Sequence, residues 1–496
     1  MSDKMIIIIL ISLLCISSNL ILAFGDYQFS MSGNNKFQYL LVDEEGGNKG
    51  KQYISDRLEV SVLWGPFEVG TVVNIDYPRW VRFIGEEEDR AEMSQLYLTY
   101  TSEKLDATGG TIIKSMGRGM TLHATEDLDI DLEHYLKGAG VSFRPVEYLE
   151  ITGLGGKGEW RYSGQEDRVI AGEVEVSPLG MTSTSIQPFV DFSMSHINIP
   201  IDPESDIVYD QRYILLGGGA YLPFCEGEFY YARRDMVKSA SPGEPKTKGE
   251  AIYLTANGTI SRFASVEFEY KRYDNYCDFV SHFITPPNAT IFGDSINEGN
   301  NEQGFLIGAN SQPIDGLHLH FAYAFGNQVK KVEPQIKVKE MQIDAMVQDI
   351  IPRVDPGGYL EFQDEFERKS IRVRPFATFF MTEKHSITGS IEFEKRTEKF
   401  WENRPTFKDQ ILELEYYWTG NVSALWRFEW TDQKRDQMGE SIRHNWNFIE
   451  VKYIINPRSE FSVGYGQLRG GKVCSGGACF WESPFKGLRA KLTSVF

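Results

Sequence analysis

Hydrophobic and polar residues alternate along most of this chain. In one stretch Val266, Phe268 and Tyr270 fall on one face and Glu267, Glu269 and Lys271 on the other. In another, Leu317, Leu319, Phe321, Tyr323 and Phe325 alternate with His318 and His320. A third sets Leu412, Leu414, Tyr416 and Trp418 against Glu413 and Glu415. Period two marks a strand whose faces meet different surroundings. Roughly 22 such segments recur, each about ten residues long, which is the length a tilted strand needs to cross a bilayer. Their connections also alternate. Ten tight turns, among them Trp64-Gly-Pro-Phe67 and Thr419-Gly-Asn421, separate eleven longer polar connections. Twenty-two antiparallel strands need that count if both termini lie on the turn side. A soluble sandwich has no reason to sort its connections this way, whereas outer-membrane barrels have short periplasmic turns and long extracellular loops.

The sequence therefore predicts an all-β fold, a transmembrane antiparallel up-and-down β-barrel of about 22 strands. Its last strand is Leu488, Ala490, Leu492 and Phe496 alternating with Arg489, Lys491 and Thr493. This aromatic ending resembles the terminal strand of bacterial outer-membrane barrels. The resemblance implies contact with outer-membrane lipid and recognition by the barrel assembly machinery through this strand. A lipid-facing Lys or Arg at midplane costs about 2 to 4 kcal/mol. The charged positions are thus expected to line the lumen: Glu267, Glu269, His318, His320, Arg372, Arg374, Glu392, Glu394, Glu413, Glu415, Arg427, Glu429, Glu450 and Lys452.

Composition narrows the class. With 24% charged residues and no internal apolar run of about 18, a helical membrane protein is excluded. The apolar run Met5 to Ala23 behind Lys4 reads as a secretory signal, residues 1–25, followed by a single barrel domain, 26–496. A net charge of −19 argues against nucleic acid as a partner. Cys15 leaves with the signal. Cys474 and Cys479 flank Ser-Gly-Gly-Ala, and export makes a disulfide between them an expectation. So small a ring would contribute roughly 2 kcal/mol as a local staple.

Apparent chemical motifs dissolve on inspection. Gly153-Leu-Gly-Gly-Lys-Gly158 matches a dinucleotide fingerprint, but no helix follows to hold a pyrophosphate. Asp127-Leu-Asp-Ile-Asp131 starts like a calcium loop yet lacks the Gly at position six and the Glu at position twelve. No catalytic, cofactor or metal residue is assigned, and the reading is non-enzymatic. In the longest connection, 327–369, residues Ile343, Met346, Val347, Ile350 and Ile351 fall at helical spacing before Asp355-Pro-Gly-Gly358. They predict a short amphipathic helix acting as a plug or a docking surface. Connections 273–301 and 327–369 are both expected to fold into the lumen.

The segment from Gly464 to Cys479, with the strand after it, resembles the close of an uncharacterised family of outer-membrane barrels from Bacteroidota and related bacteria. Gly117-Arg-Gly119 and the hairpin 54–76 resemble that family's N-terminal part. The resemblance implies fold and outer-membrane location and transfers no binding residue. Two functions stay open: a porin-like channel or transporter for polar solutes, or a silent barrel whose extracellular loops serve surface assembly, adhesion or export. Loop aromatics Phe279, Phe283, Phe400, Trp401, Phe480 and Trp481 would suit a protein partner in the second case.

Overall fold

The structure, a computed structural model, describes residues 21–24, 27–43, 49–77, 90–127, 132–160, 165–177, 186–200, 208–238, 246–277, 283–287, 289–291, 300–330, 336–366, 368–399, 405–434, 443–469, 471–475, 478–482 and 485–496. Twenty-four strands form one antiparallel sheet in which each pairs with its sequence neighbours. The sheet closes because the first, Tyr27–Asp43, pairs with the last, Phe485–Val495, from Asn34 opposite Val495 to Val42 opposite Gly487. Phe496 completes the seam. Its backbone exchanges two hydrogen bonds of 2.9 Å with Gly33, and its ring lies where a Cβ on Gly33 would stand. Full closure leaves no unpaired edge to recruit other chains.

Eleven connections are short, such as Gly65-Pro66 and Asp315-Gly316, and twelve lie at the other end with both termini on the short side. Gly65 and Gly316 have the positive φ that tight hairpin turns require (57° and 83°). The two strands beyond the expected number come from 327–369. That segment is not a loop, and residues 343–351 do not form a helix. Lys337–Val347 and Val354–Asp364 are barrel strands joined by a turn. The helical spacing was a coincidence of two elements. Ile343 belongs to a strand, exposed on the face of Met341 and Ala345, while Ile350 and Ile351 sit exposed in the turn.

Burial separates the two faces of the wall. Val141, Ile170, Phe192, Ile214, Phe268, Phe321, Phe393 and Ile449 are large, apolar and exposed on the outer face of their strands. A closed barrel wearing an apolar outer belt is a membrane-spanning wall, since only helices or closed barrels satisfy their backbone in lipid. The chain is a bacterial outer-membrane barrel, with its short turns at one end and its longer connections at the other. Among the described residues no helix is long and apolar enough to cross a membrane.

Of the expected signal segment only Ile21–Phe24 is described, as a short strand paired with Tyr27 to Ser30. The hairpin Gly471–Ser475 with Ala478–Glu482 places Cys474 opposite Cys479. Their side chains, with those of Phe480 and Trp481, lie outside the described residues. So do Phe279, Phe400 and Trp401 and most of the acidic motif 127–131.

Candidate functional site

Closing 24 strands at about 4.8 Å spacing and about 40° tilt gives a backbone diameter near 48 Å, by order of magnitude. Wall side chains alone cannot fill such a bore. Two connections enter it. Residues 113–135 carry a small three-stranded sheet, Lys114–Met116, Leu122–Asp127 and Leu132–His134, with a turn at Gly117–Gly119. Described parts of 275–300 pack beside it: His123 N donates to Phe283 O at 2.7 Å, and Thr285 N donates to Gly119 O at 3.0 Å. Sequence reasoning placed 273–301 inside but missed 113–135, and the plug it sought in 327–369 is part of the wall.

The insert packs on one side of the bore. Met116, Met120, Leu122, Tyr276, Phe283 and Ile284 are buried together with Leu154, Val169, Ile197, Ile199, Tyr213, Leu215, Tyr230 and Tyr253 of the wall. Phe283, expected as an exposed loop aromatic, is a core residue. Polar contacts pin the same surface. Gly117 N donates to Glu173 at 2.9 Å, Tyr276 OH donates to Met120 O at 2.6 Å, and the Thr121 and Ser193 hydroxyls meet at 2.9 Å. Arg57 donates to Glu126 at 2.7 Å from the neighbouring wall, and Ile291 N donates to Glu340 at 2.6 Å.

The tip has an unusual backbone. Gly117, Arg118 and Gly119 all have positive φ (55°, 57° and 79°), a conformation costing a non-glycine residue about 1 to 2 kcal/mol. It turns the Arg118 guanidinium onto Glu228, where it ion-pairs while remaining about half exposed. Tyr221 OH also donates to Glu228, at 3.2 Å. A Cβ on Gly117 would stand 2.7 Å from Ser193 Oγ and 2.8 Å from Leu215 Cδ1, so glycine is required by contact as well as by φ. The second insert segment leaves the wall beside Lys271, whose ammonium lies 2.7 Å from Glu302 with both side chains almost fully buried.

Across the ring the inner face is charged. Arg372 approaches Glu361 at 2.8 Å, Glu392 at 3.2 Å and Glu394 at 3.8 Å. Arg374 bridges Glu392 and Glu413, and Arg427 bridges Glu413 (3.2 Å) and Glu429 (2.7 Å). This chain of ion pairs crosses five strands. Tyr359 OH donates to Glu392 at 2.8 Å. Farther round, Arg489 pairs with Glu450 at 3.2 Å and Lys452 with Glu460 at 3.0 Å. Above the ladder Arg396 and Arg469 share Asp409. His320 lies 3.2 Å from Asp344, and with His318 and Tyr359 it borders a shallow recess of about 490 Å³. Glu267 covers Gly308, and Glu269 and Glu415 lie beside Tyr253 and Tyr417. Among the described residues no three metal-ligating side chains converge. Cys225 and Cys277 are free thiols, the first at a turn end and the second buried within the insert.

A family of unknown function, DUF6029, matches residues 1–283, more than half of the sequence. The chain belongs to this family. The DUF6029 match contains Gly117-Arg-Gly119 and the hairpin 54–76, both of which carried the earlier family resemblance, and ends before the Gly464 to Cys479 segment. No curated protein matches the chain. Among solved structures it is similar to Pseudomonas aeruginosa OccK9 (OpdG), at 12% identity and a TM-score of 0.43, covering 71% of this chain and 97% of that one. Acinetobacter baumannii OccAB1 is similar at 13% identity and 0.42, covering 68% and 91%. The P pilus usher (PapC) translocation pore is similar at 9% identity and 0.45, covering 94% and 99%. These likenesses concern general barrel architecture, and no solute or partner passes from them to the DUF6029 chain.

Proposed function

We propose that this porin-like barrel is a passive channel for small polar solutes, with cations favoured over anions. The observation that carries the reading is the asymmetry of the bore. The insert's described contacts gather on the apolar half of the wall and on its flanks at Arg57, Gln95 and Glu340, and they narrow a cylinder that would otherwise leak. The ion-pair ladder lies on the other half, where water and solute can reach partly exposed groups such as Arg372 and Arg374. The ladder itself sets Glu361, Glu392, Glu394, Glu413 and Glu429 against Arg372, Arg374 and Arg427, five acids against three bases. Rings and ladders rich in carboxylates favour cations.

Planar-bilayer recording of the purified barrel tests this. Steady conductance far below that of an open bore is expected, with a reversal potential in a KCl gradient that favours K⁺. Replacing 114–134 with a short Gly-Ser linker should enlarge the conductance while heat-modifiable gel mobility still reports a folded barrel. Silence from both proteins would sink the channel and leave the barrel as a surface platform acting through its loops.

A further inference from the structure

Beside the root of the insert, towards the short turns, the inner wall holds a second recess, of about 360 Å³. Neighbouring strands line it: Arg90–Thr101, Leu105–Ile112, Leu136–Val146 and Leu149–Trp160. Ile113 and Lys114, where the chain leaves the wall for the insert, complete the lining. Register brings small hydroxyls together here. Thr99 stands opposite Thr108, Asp106 opposite Ser142, and Ser142 opposite Thr152. The Thr99 and Thr108 hydroxyls meet at 3.1 Å and those of Ser142 and Thr152 at 2.8 Å. A hydroxyl pair bonded to itself still has a proton and several lone pairs to offer. Thr111 accepts from Leu96 N at 3.1 Å and keeps its own proton to donate.

The charges of the recess balance. Arg144 lies between two acids, ion-pairing with Asp106 and donating to Glu150 at 3.1 Å, and Lys114 is the other base of the lining. An ion of either sign would meet like charges as well as opposite ones and would gain little there. Among the described residues Asp106 Oδ1 accepts no hydrogen bond although it is buried, so the floor holds an acceptor in need of a donor. Tyr97 and Leu154 give the recess an apolar side. The Tyr97 ring is held in place by its hydroxyl, which donates to Glu68 at 3.0 Å.

We propose that this recess binds a neutral polyol of monosaccharide size. Each hydroxyl of such a solute donates once and accepts twice. That complements a lining in which Thr111 and the hydroxyl pairs supply protons while Asp106 and Glu150 supply lone pairs. The C–H face of a sugar ring suits Tyr97 and Leu154. Size agrees as well, since at about 30 Å³ per water the recess holds roughly a dozen waters, the bulk of one hexose. The site deepens the channel reading and rests on it for the route by which solute arrives, but its occupancy is measured without any current.

Saturation-transfer NMR of the detergent-purified, full-length barrel with glucose, galactose or mannose tests the site, with empty micelles as the blank. At least one hexose should bind saturably. Gluconate, choline and zwitterionic glycine should bind about tenfold or more weakly, because a charged group loses water there without a net opposite charge to meet it. Ser142→Ala with Thr152→Val, which removes one hydroxyl pair and no charge, should weaken hexose binding about tenfold, the loss expected when about two neutral hydrogen bonds go. Thr378→Val with Thr388→Val removes a similar pair, 2.9 Å apart, elsewhere on the inner wall and should leave binding unchanged. Heat-modifiable mobility reports folding, and Thr99→Val with Thr108→Val carries the test if the first variant does not assemble. Hexose binding by a barrel that passes no current would keep the site and remove the channel; a conducting barrel that binds no hexose would do the reverse. Equal binding of the charged probes, or unchanged affinity in both recess variants, would also overturn the site.

Discussion

Gly117→Val should loosen the insert without unfolding the barrel. Two costs fall on the valine. At φ 55° a left-handed backbone costs it about 1 to 2 kcal/mol or more. Its side chain would also enter the space of Ser193 and Leu215 and push the Gly117 amide off Glu173, a bond to a charged acceptor worth about 1.5 to 3 kcal/mol. The sum, about 3 to 5 kcal/mol, compares with about 5 to 9 kcal/mol from burying Met116, Met120 and Leu122 at about 1.5 to 3 each. The insert should still dock, but its undocked population should rise roughly a hundredfold or more, since about 1.4 kcal/mol is a factor of ten. In single-channel records this appears as brief high-conductance bursts, rarer in Gly117→Ala than in Gly117→Val. Gly420→Ala is the control, because Gly420 also has positive φ (75°) but sits in a turn with open space around its Cβ position. Bursts at wild-type frequency in a normally assembled Gly117→Val barrel would refute the insert as the constriction.

Three further outcomes are expected. Phe268→Arg, on the exposed apolar face, should impair assembly by about 2 to 4 kcal/mol, whereas Glu269→Arg on the opposite face should be tolerated better; equal loss of heat-modifiable mobility would contradict the facing. Lys271→Met should lower the unfolding temperature sharply, because removing one member of a buried pair costs about 3 to 5 kcal/mol, and Lys271→Met with Glu302→Leu should recover much of the loss. Peptide mapping of the non-reduced protein should find Cys474 linked to Cys479, which their cross-strand register allows; two free thiols there would exclude the staple.

Legibility in the sequence followed the chemistry of each face. Where acids alternate with large apolar residues, as from Val266 to Lys271 or Leu412 to Trp418, period two names both the strand and its facing. It failed at Lys337–Asp364 because inward Glu340, Gln342 and Asp344 alternate there with outward positions that include Lys337, Lys339 and Ala345, so polarity no longer marks the face. Asp355-Pro-Gly-Gly358 looked like a loop. In the wall Pro356 lies opposite Ala377, and the Phe376 ring fills the space above Gly357, which makes a strand of a sequence that reads as a break. Facing also brought Arg372, Arg374, Glu392, Glu394, Glu413, Arg427 and Glu429 to one side of their strands. Their pairing depends on register, which alternation does not encode. The insert was the least visible part, since Gly117 meets Ser193 and Arg118 meets Glu228 across spans of sequence with no local signal.

The wall itself explains why the insert is fixed rather than a mobile lid. Leu154, Val169, Ile197, Ile199, Tyr213 and Leu215 point into the bore, and without the insert each would face water. Six such side chains, at about 1.5 to 3 kcal/mol each when fully buried, represent about 9 to 18 kcal/mol of apolar burial as an upper bound. That sum is comparable to the whole stability of a typical domain. The charged half of the wall carries no such demand, because Arg372, Arg374 and Arg427 find their partners within the wall. A barrel built this way keeps its constriction on one side and its water on the other. On the channel reading proposed above, polarising the inner face of the wall fixes where the pathway runs before any solute arrives. If the apolar half were made polar, for example by Ile197→Thr with Leu215→Thr, the insert should undock and the burst frequency should rise even though no insert residue has changed. An unaltered conductance in that variant would mean that the hydrogen bonds of Gly117, Thr121 and Tyr276 hold the insert without help from apolar burial.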